Sequence, residues 1–460
     1  MLNKDNERKR VRKVLMHYDT PTAIIEISAG KGGENAFKVN IIEILNHEHF
    51  PIGVWTHDLN KQKQHVNNFL SEFFSVRTMP YNRIGKEEAL EGLGVETTAE
   101  LALREYGFSF QDSYWVVDED KTHLGYVETN PIRDTQLSRV SKFVGIEGFK
   151  GMDFSSISRE KTIAGGTSGR LSKMWKWIIE EYDGKMEEFL VLYKGGDPNH
   201  HRQEVANELV ATYLNKLFGF PHVEYDAVGE VDGIKLPHNV CKSFLDENQE
   251  MITMEQIIGA APPGKPQEKK ISRYMRGAEV LGIDPNVAVT QFAMRALVDY
   301  LVNNTDRHTF NEGVIRNDQS LNITGFVPGF DYGDSGWVRN SVENLYGRNT
   351  LVEFDRNGFS KRISARDGDA MPFAETHREQ IELLKQQGGV DFLDDLDMFR
   401  NGSAQPDSIL SILKRLEDEL PDVFEHFLKQ LPEFPQDRLE AVKDAVAVRA
   451  TSVRQHIERL

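Results

Sequence analysis

Two neighbouring segments, LVNNTDRHTFNEGVIRN (residues 301–317) and FVPGFDYGDSGW (residues 326–337), hold most of the structural and chemical information in this sequence. Apolar residues recur at helical spacing from Pro285 to Val302, so the pattern predicts a helix that leads into the first segment. The run Asn303-Asn304-Thr305 favours caps and turns, and it is therefore expected to end that helix.

Two short apolar runs, Gly313–Ile315 and Ile323–Val327, flank a polar turn and predict a β-hairpin. Asp306 and Asn311 precede this hairpin and Asp331 follows it, so we expect the hairpin to bring the three side chains together. Protein kinases use a catalytic Asp, an Asn five residues later and a second Asp near a glycine. The same residue types occur here in the same order. The first Asp aligns the attacking hydroxyl, and the other two residues hold magnesium on the phosphates.

Ordinary polar loops have the same composition, because Asp and Asn readily form turns. His308 lies inside the cluster, and a single histidine in such a loop commonly bonds only to backbone groups. The kinase interpretation therefore depends on finding the other parts of a kinase upstream.

Composition excludes several other classes of protein. The formal net charge of −17 over 460 residues argues against a general nucleic-acid-binding surface, because phosphate backbones attract clustered Lys and Arg. The single cysteine, Cys241, excludes an intramolecular disulfide framework and a cysteine-rich zinc site. No apolar run approaches the roughly 20 residues that a membrane span needs, and the charged N-terminus lacks a signal-peptide core. We expect a soluble cytoplasmic protein without membrane contact or direct nucleic-acid binding.

Residues 1–112 contain regular elements but no chemical motif. Strands are predicted at Val14–Tyr18 and Ala23–Ser28, and a helix at Asn60–Phe74. A capping box at Thr97–Glu100 opens a further helix. This part is predicted to be a mixed α/β accessory module, and strand-like sequence follows it over residues 113–133.

A glycine-rich stretch, AGGTSG (residues 164–169), precedes two predicted strands, Lys173–Ile179 and Glu188–Lys194. Glycine lets backbone N–H groups approach phosphates closely. The candidate phosphate contacts are Gly166, Thr167, Ser168 and Gly169. A mobile surface loop explains the same composition equally well.

Lys194 closes an apolar strand and is followed by two glycines. A kinase needs a strand lysine for the α- and β-phosphates, paired with a glutamate on the next helix. The pattern predicts that helix at residues 202–218, ended by Gly219, and it offers Glu208 first and Glu204 second. A lone lysine at a strand end is usually solvated, but here it stands between a glycine-rich loop and a helix with suitable glutamates.

The elements that follow complete the predicted fold. Strands at His222–Ala227 and Asn239–Leu245 end where an adenine-binding hinge would lie, with Ser243 and Phe244 as its candidates. The chain is then loop-like from residue 338 to about Phe373 and helical beyond it. We predict an α+β, bilobal protein-kinase-like fold with a sheet-rich N-lobe (113–247) and an all-helical C-lobe that carries the catalytic loop (248–460).

At this point the sequence resembles the HipA-like serine/threonine kinases of bacterial toxin–antitoxin systems and the related stand-alone HipA-domain proteins. The matching text is NNTDRHTFN, GFDYGDSG, LVLYKGG and QEVANELVATYLNKLFGFP. The resemblance covers Tyr114–Asn340 well, the helical C-terminus loosely and the first 110 residues only in outline.

This resemblance implies a role for each matching residue. Asp306, with His308 beside it, would be catalytic and accept the proton of a Ser or Thr hydroxyl on a protein substrate. Asn311 and Asp331 would hold Mg²⁺, and Lys194 would clamp the phosphates of ATP. In the toxin members a serine of the glycine-rich loop is autophosphorylated, and a small antitoxin is the partner; Thr167 and Ser168 would be the equivalents here. The text TSGRLSKMWK departs from the family's usual loop, which leaves a weak or inactive kinase open.

Three alternatives come from other classes. The chain could be a pseudokinase that binds nucleotide or a partner without transfer, although the intact motif residues argue against this. It could be a small-molecule or lipid-headgroup kinase, although an acidic chain without a basic patch disfavours a lipid substrate. A magnesium-dependent hydrolase would use the same acidic cluster but would give Lys194 and Glu208 no role.

Overall fold

The computed structural model describes residues 11–29, 37–53, 59–77, 87, 90–91, 94, 97–104, 106–130, 132, 143–147, 171, 173–231, 234–262, 264, 270–304, 306–335, 352–354, 360–362, 416 and 434–457.

The chain divides into two compact units. The first unit comprises Met1–Lys194, Lys242–Ile252 and Val314–Gly325. The second unit comprises Gly195–Cys241, Thr253–Gly313 and Phe326–Leu460. The three predicted domains, with boundaries after residues 112 and 247, stay a prediction.

An antiparallel sheet with the strand order β3-β2-β1-β4 forms the N-terminal part of the first unit. Its strands are β1 (Val11–His17), β2 (Thr20–Ala29), β3 (Phe37–Ile44) and β4 (Tyr114–Val117). Helix α1 (Leu59–Ser75) packs on this sheet through apolar residues at helical spacing. The shared core includes Ile25, Ile27, Val39, Val66, Leu70 and Phe73. The strands and the helix predicted in residues 14–74 are confirmed.

Two short helices follow in the first unit. Helix α2 (Thr98–Arg104) begins as predicted, because the Thr97 hydroxyl accepts a hydrogen bond of 3.0 Å from the Glu100 N–H. Helix α3 (Tyr126–Thr129) occupies a stretch with strand-like composition, so the strand prediction is wrong there. The Tyr126 N–H donates to an Asp19 carboxylate oxygen at 2.7 Å and its ring packs against Trp115, so tertiary contacts outweigh the local β-propensity.

The strands β5 (Phe143–Glu147), β6 (Lys173–Tyr182) and β7 (Lys185–Gly195) are antiparallel neighbours in that order. The β6–β7 hairpin confirms the predicted strand-turn-strand pattern, and both strands are longer than predicted. Its two-residue turn, Asp183-Gly184, has φ of 49° and 74°, the left-handed conformation that suits a tight hairpin.

A second small sheet has the order β10-β11-β12, formed by β10 (Gln249–Thr253), β11 (Gly313–Asn317) and β12 (Ile323–Phe326). The predicted hairpin after the motif is therefore confirmed as β11–β12, whereas β10 was not predicted from the sequence.

Helices predominate among the described elements of the second unit. They are α4 (Gln203–Phe218), α5 (Met254–Ala260), α6 (Lys270–Val280), α7 (Pro285–Val302) and α8 (Gln436–Ile457). The hairpin of β8 (Asp226–Val231) and β9 (Ile234–Lys242) lies between α4 and α5 in the chain. Gly219 ends α4 with a φ of 68°, as the sequence predicts.

The all-helical description of residues 248–460 is wrong. Strands β10 to β12 lie in this range, and β13 (Val352–Phe354) pairs with β14 (Ser360–Arg362) in a stretch predicted to be loop. These strands are only three to five residues long, too short for a clear alternating pattern in the sequence. The helices predicted between residues 374 and 431 lie outside the described residues except for residue 416. None of the described helices is long and apolar enough to span a membrane.

Candidate active site

The loop after helix α7 begins with two asparagines that have different tasks. Asn303 adopts a left-handed φ of 54° at the end of the helix, a conformation that Asn tolerates better than most residues. The Asn304 side-chain amide donates to Asp299 at 2.8 Å, and its oxygen accepts from the Asp306 N–H at 3.1 Å. The last turn of α7 therefore holds the start of the loop that carries Asp306.

Arg307 connects three parts of the chain from a fully buried position. Its guanidinium donates to both Asp299 carboxylate oxygens at 2.8 and 2.9 Å and to the Phe330 carbonyl at 2.7 Å. It also lies 4.6 Å from the centre of the Tyr332 ring. Burial alone would lower the pKa of Arg307, but Asp299, Tyr332 and Glu312 together outweigh burial and raise it. The charge is thus permanent, and it ties α7 to the loop of Asp331.

Asn311 and Asp331 are brought together as the sequence predicts. The Asn311 amide donates to an Asp331 carboxylate oxygen at 2.9 Å, across 20 positions of sequence. Asp331 has a φ of 60°, a left-handed conformation that Asp adopts more readily than most residues but that still costs free energy. Strain of this kind persists only where the surroundings enforce it, and it is common at functional sites.

Helix α4 holds the loop of Asp331 from the other side. Glu208 is completely buried, and its carboxylate accepts a hydrogen bond of 2.9 Å from the Tyr332 N–H. The neighbouring Asn207 donates to the carbonyls of Gly333 and Ser335 at 2.7 and 2.8 Å. Two adjacent side chains of α4 thus fix residues 332–335, a role that the sequence did not reveal.

The catalytic candidates lie on the loop between these anchors. Asp306 is exposed, whereas His308 is half-buried with its ring 6.0 Å from the Phe310 ring. Thr309 donates from its hydroxyl to Glu255 on α5 at 2.7 Å, which fastens the far side of the loop. The loop is thus held at its ends and presents the Asp306 carboxylate to solvent.

Glu312, next to Asn311, is a buried carboxyl group. Burial raises its pKa to about 7, although Arg295 and Arg307 act in the opposite direction. Its backbone carbonyl accepts from the Met254 N–H at 2.7 Å, where helix α5 begins. The end of the loop is therefore joined to α5 by the backbone as well as by Thr309.

The remaining candidates lie in the first unit or outside the described residues. Lys194 is buried at the end of β7, opposite Lys173 of β6. The Ser243 N–H donates to the Leu190 carbonyl at 2.8 Å, and its hydroxyl donates to the Leu245 carbonyl at 3.1 Å. The Ser243 amide is therefore engaged within the protein, and Phe244 follows it half-buried. The candidate loop residues Gly166, Thr167, Ser168 and Gly169 lie outside the described residues.

Comparison with solved structures identifies the fold. The chain is similar to HipA in the complex of the Shewanella oneidensis MR-1 toxin–antitoxin system HipA, HipB and its operator DNA. The TM-score is 0.50 at 14% sequence identity, and the match covers 97% of this chain and 99% of that one. The fold is that of HipA. The predicted resemblance to the HipA-like kinases is thus confirmed at the level of the fold.

A second match is the Helicobacter pylori proinflammatory kinase CtkA, with a TM-score of 0.42 and 14% identity over 62% of this chain and 94% of that one. No protein-family model matches the sequence, and no curated protein matches it either.

Proposed function

We propose that the protein is an ATP- and Mg²⁺-dependent serine/threonine protein kinase of the HipA-like type. The observation that supports this best is the contact between Asn311 and Asp331. A kinase holds its metal with an Asn of the catalytic loop and an Asp of a following loop, and these two residue types meet here in that chain order. The bilobal arrangement predicted from the sequence belongs to the same proposal.

The side chains at this contact suit the chemistry of magnesium. Mg²⁺ prefers oxygen ligands, and Asn311 and Asp331 offer an amide oxygen and a carboxylate. Bound Mg²⁺–ATP supplies the γ-phosphoryl group, and the ion neutralises the charge on the phosphates. Arg307 and Glu208 do not touch the ion in this scheme; they hold the backbone on either side of Asp331.

Asp306 is the proposed catalytic base. Its carboxylate is exposed to an incoming substrate, while its backbone is fixed by Asn304. It would align a Ser or Thr hydroxyl and accept the proton as the oxygen attacks the γ-phosphorus. His308 is the second candidate in this loop, because it follows Asp306 by two positions and is half-buried.

Lys194 is the proposed contact of the α- and β-phosphates. Its side chain is buried near the end of β7, and an ammonium group is a compact positive charge that suits phosphate oxygens. Phe244 is the proposed neighbour of the adenine, and Ser243 shapes the hinge through its two hydrogen bonds. Gly166, Thr167, Ser168 and Gly169 are proposed to cover the phosphates, with Thr167 or Ser168 as a site of self-phosphorylation.

The fold relationship alone supports the proposed substrate class and partner. We propose a protein substrate that presents a Ser or Thr hydroxyl, and a small antitoxin-like partner, since the similar HipA forms a complex with HipB. An adjacent reading frame that encodes a small DNA-binding protein would support the second point.

Transfer of label from γ-labelled ATP tests the proposal. The purified parent chain is incubated with labelled ATP and Mg²⁺ beside three variants, Asp306→Asn, Asp331→Asn and Asp120→Asn. Mass spectrometry then locates the labelled sites on the chain itself and on the proteins of a cell lysate. Asp120 is exposed in a short turn of the first unit and serves as the matched control. We expect transfer by the parent and by Asp120→Asn, and a loss of at least about 100-fold in the other two.

Nucleotide binding, measured by the shift of the unfolding temperature, separates the outcomes. Asp306→Asn should still bind Mg²⁺–ATP, whereas Asp331→Asn should lose the magnesium-dependent part of the shift. Unchanged transfer in either variant would overturn the site assignment. Binding without transfer in the parent would replace the kinase by a pseudokinase.

A further inference from the structure

A second group of potential metal ligands lies in the loop that leads into helix α4, apart from the candidate active site. Asp197, His200 and Glu204 each offer one ligand atom, and these atoms lie within 4.8 Å of one another. They occupy positions i, i+3 and i+7: Asp197 precedes the 3₁₀ turn Pro198–His200, His200 ends that turn, and Glu204 lies in the first turn of α4. The phosphoryl-transfer roles proposed above use none of these three side chains.

The spacing of these atoms matches the distance between ligands of a tetrahedral metal ion, and the contact between His200 and Glu204 is also a long hydrogen bond. The His200 Nδ1 lies 3.4 Å from a Glu204 carboxylate oxygen and 3.6 Å from an Asp197 carboxylate oxygen. Hydrogen bonds from nitrogen to oxygen are usually about 2.7–3.2 Å long. Ligands of a tetrahedral zinc ion at about 2.0–2.1 Å are separated by roughly 3.3–3.4 Å. The two observed separations lie close to that edge length.

Backbone groups orient both carboxylates toward the histidine. The other oxygen of Glu204 accepts from the Asp197 N–H at 3.1 Å, and the other oxygen of Asp197 accepts from the Asn199 N–H at 2.9 Å. Supporting hydrogen bonds of this kind fix the direction of metal ligands in proteins. Each carboxylate is therefore held by one oxygen while its second oxygen faces His200.

Both carboxylates of this cluster are buried. Asp197 and Glu204 are only 2% and 4% exposed, whereas the His200 side chain is 24% exposed. Glu204 also interacts electrostatically with Arg438 of α8, and a divalent cation would add a counter-charge that both carboxylates share. The partial exposure of His200 gives an ion a path to the site.

We propose that Asp197, His200 and Glu204 bind a divalent transition-metal ion, with Zn²⁺ as the expected occupant. One imidazole nitrogen and two carboxylate oxygens suit zinc, whereas Mg²⁺ favours ligand sets made of oxygen alone. Three protein ligands leave a fourth position for water. The ion fastens residues 197–200 to the start of α4, the helix that carries Glu208.

The chain contains its own matched control for this site. His201 is adjacent to His200 but exposed, and it does not belong to the cluster. Metal-free protein is titrated with Zn²⁺ against a chelating dye, and with Co²⁺, whose visible absorption reports tetrahedral nitrogen and oxygen ligation. The variants are His200→Ala, His201→Ala and Glu204→Gln, each checked by circular dichroism.

We expect one equivalent of Zn²⁺ to bind and to raise the unfolding temperature of the parent chain. His200→Ala should weaken binding by at least about 100-fold, more than the loss usual for a supporting residue, and abolish the temperature shift. His201→Ala should change binding less than about threefold, because it is outside the ligand set. A tenfold excess of Mg²⁺ should not displace the ion.

Failure to bind Zn²⁺ or Co²⁺ in the parent would overturn the proposal, and so would equal binding by parent and His200→Ala. Should Glu204→Gln fail to fold, His200→Ala still decides the matter because that side chain is partly exposed. Asp331→Asn should bind Zn²⁺ normally, so this site and the proposed kinase site can fail independently.

Discussion

The buried guanidinium of Arg307 joins the end of helix α7 to the loop of Asp331. It bonds to Asp299 with two parallel hydrogen bonds and to the Phe330 carbonyl with a third. Such a fork has a fixed geometry that an ammonium group cannot reproduce. We therefore regard Arg307 as a positioning residue for the loops of Asp306 and Asp331.

The change Arg307→Lys tests this role. The charge is kept, but the paired hydrogen bonds to Asp299 and the bond to Phe330 cannot all be made. We expect a loss of about 2 kcal/mol in the free energy of unfolding, measured with urea, and at least about a tenfold loss of phosphate transfer. A double-mutant cycle with Asp299→Asn should show strong coupling. Additive effects of the two changes would contradict the assignment.

At the residue scale, the contacts that follow from the order of the elements along the chain were predicted from the sequence. The contacts that depend on tertiary packing were not. The meeting of Asn311 and Asp331 follows from the hairpin between them. The contact of Arg307 with the carbonyl of residue 330 requires the relative placement of two loops, which no local pattern contains. One signal was present: Asp299 interrupts the apolar sequence of α7 at a position that has to be buried.

At the scale of elements, helix α8 matters because it supports the end of α7. Arg449 is completely buried and donates to the Tyr300 carbonyl at 2.6 Å and to the Asn303 side chain at 2.8 Å. Burial lowers the pKa of Arg449 to about 10, so it stays charged near neutral pH. The left-handed turn at Asn303, from which the loop of Asp306 starts, is thus held by a residue 146 positions away.

Replacing Arg449 by methionine should loosen this turn. The change removes the guanidinium donor from the Tyr300 carbonyl and the Asn303 side-chain oxygen, and we expect a loss of about 2–4 kcal/mol in unfolding free energy. Hydrogen exchange of residues 299–304 should also become faster. Lys443→Ala on the same helix is the control, because its ion pair with Glu440 is partly exposed. Equal effects of the two changes would show that α8 does not act through Arg449.

The elements themselves were predictable where they are long and periodic. Helices α1, α4 and α7 and the β6–β7 hairpin have clear patterns that agree with their burial. Helix α3 and strand β10 were missed because they are short and are specified by contacts with distant segments. The Met251 N–H of β10, for example, donates to the Gln111 carbonyl at 2.7 Å.

At the scale of the whole molecule, a buried polar network within the first unit joins parts of the chain that are far apart in sequence. Glu250 of β10 accepts from Arg316 of β11 at 2.7 Å and lies 3.1 Å from His17 of β1, a residue 233 positions away. Arg316 also donates to the Tyr114 hydroxyl of β4 at 3.2 Å. Residues 1–112 therefore share buried polar contacts with residues near 250 and 316.

Glu250 should make the stability of this unit sensitive to acid. Burial alone would raise its pKa, but Arg316 and His17 outweigh burial and hold it at about 2, below the ordinary 4.5. A carboxyl group with a lowered pKa stabilises the fold above its unfolded pKa, and this contribution disappears as the pH falls from 4.5 toward 2. We expect a contribution of the order of 3 kcal/mol at neutral pH.

Urea unfolding between pH 7 and pH 3 compares the parent chain with the variant Glu250→Gln. The control variant is Asp246→Asn, because Asp246 is exposed. Glu250→Gln should be clearly less stable than the parent at pH 7, and the difference should shrink toward pH 3. The control should follow the parent throughout. The same contacts imply that a chain starting at residue 113 lacks His17, one of the two side-chain partners of the buried Glu250 carboxylate, and will not unfold cooperatively. A stable, cooperative fragment would show that residues 1–112 are separable from the rest of the unit.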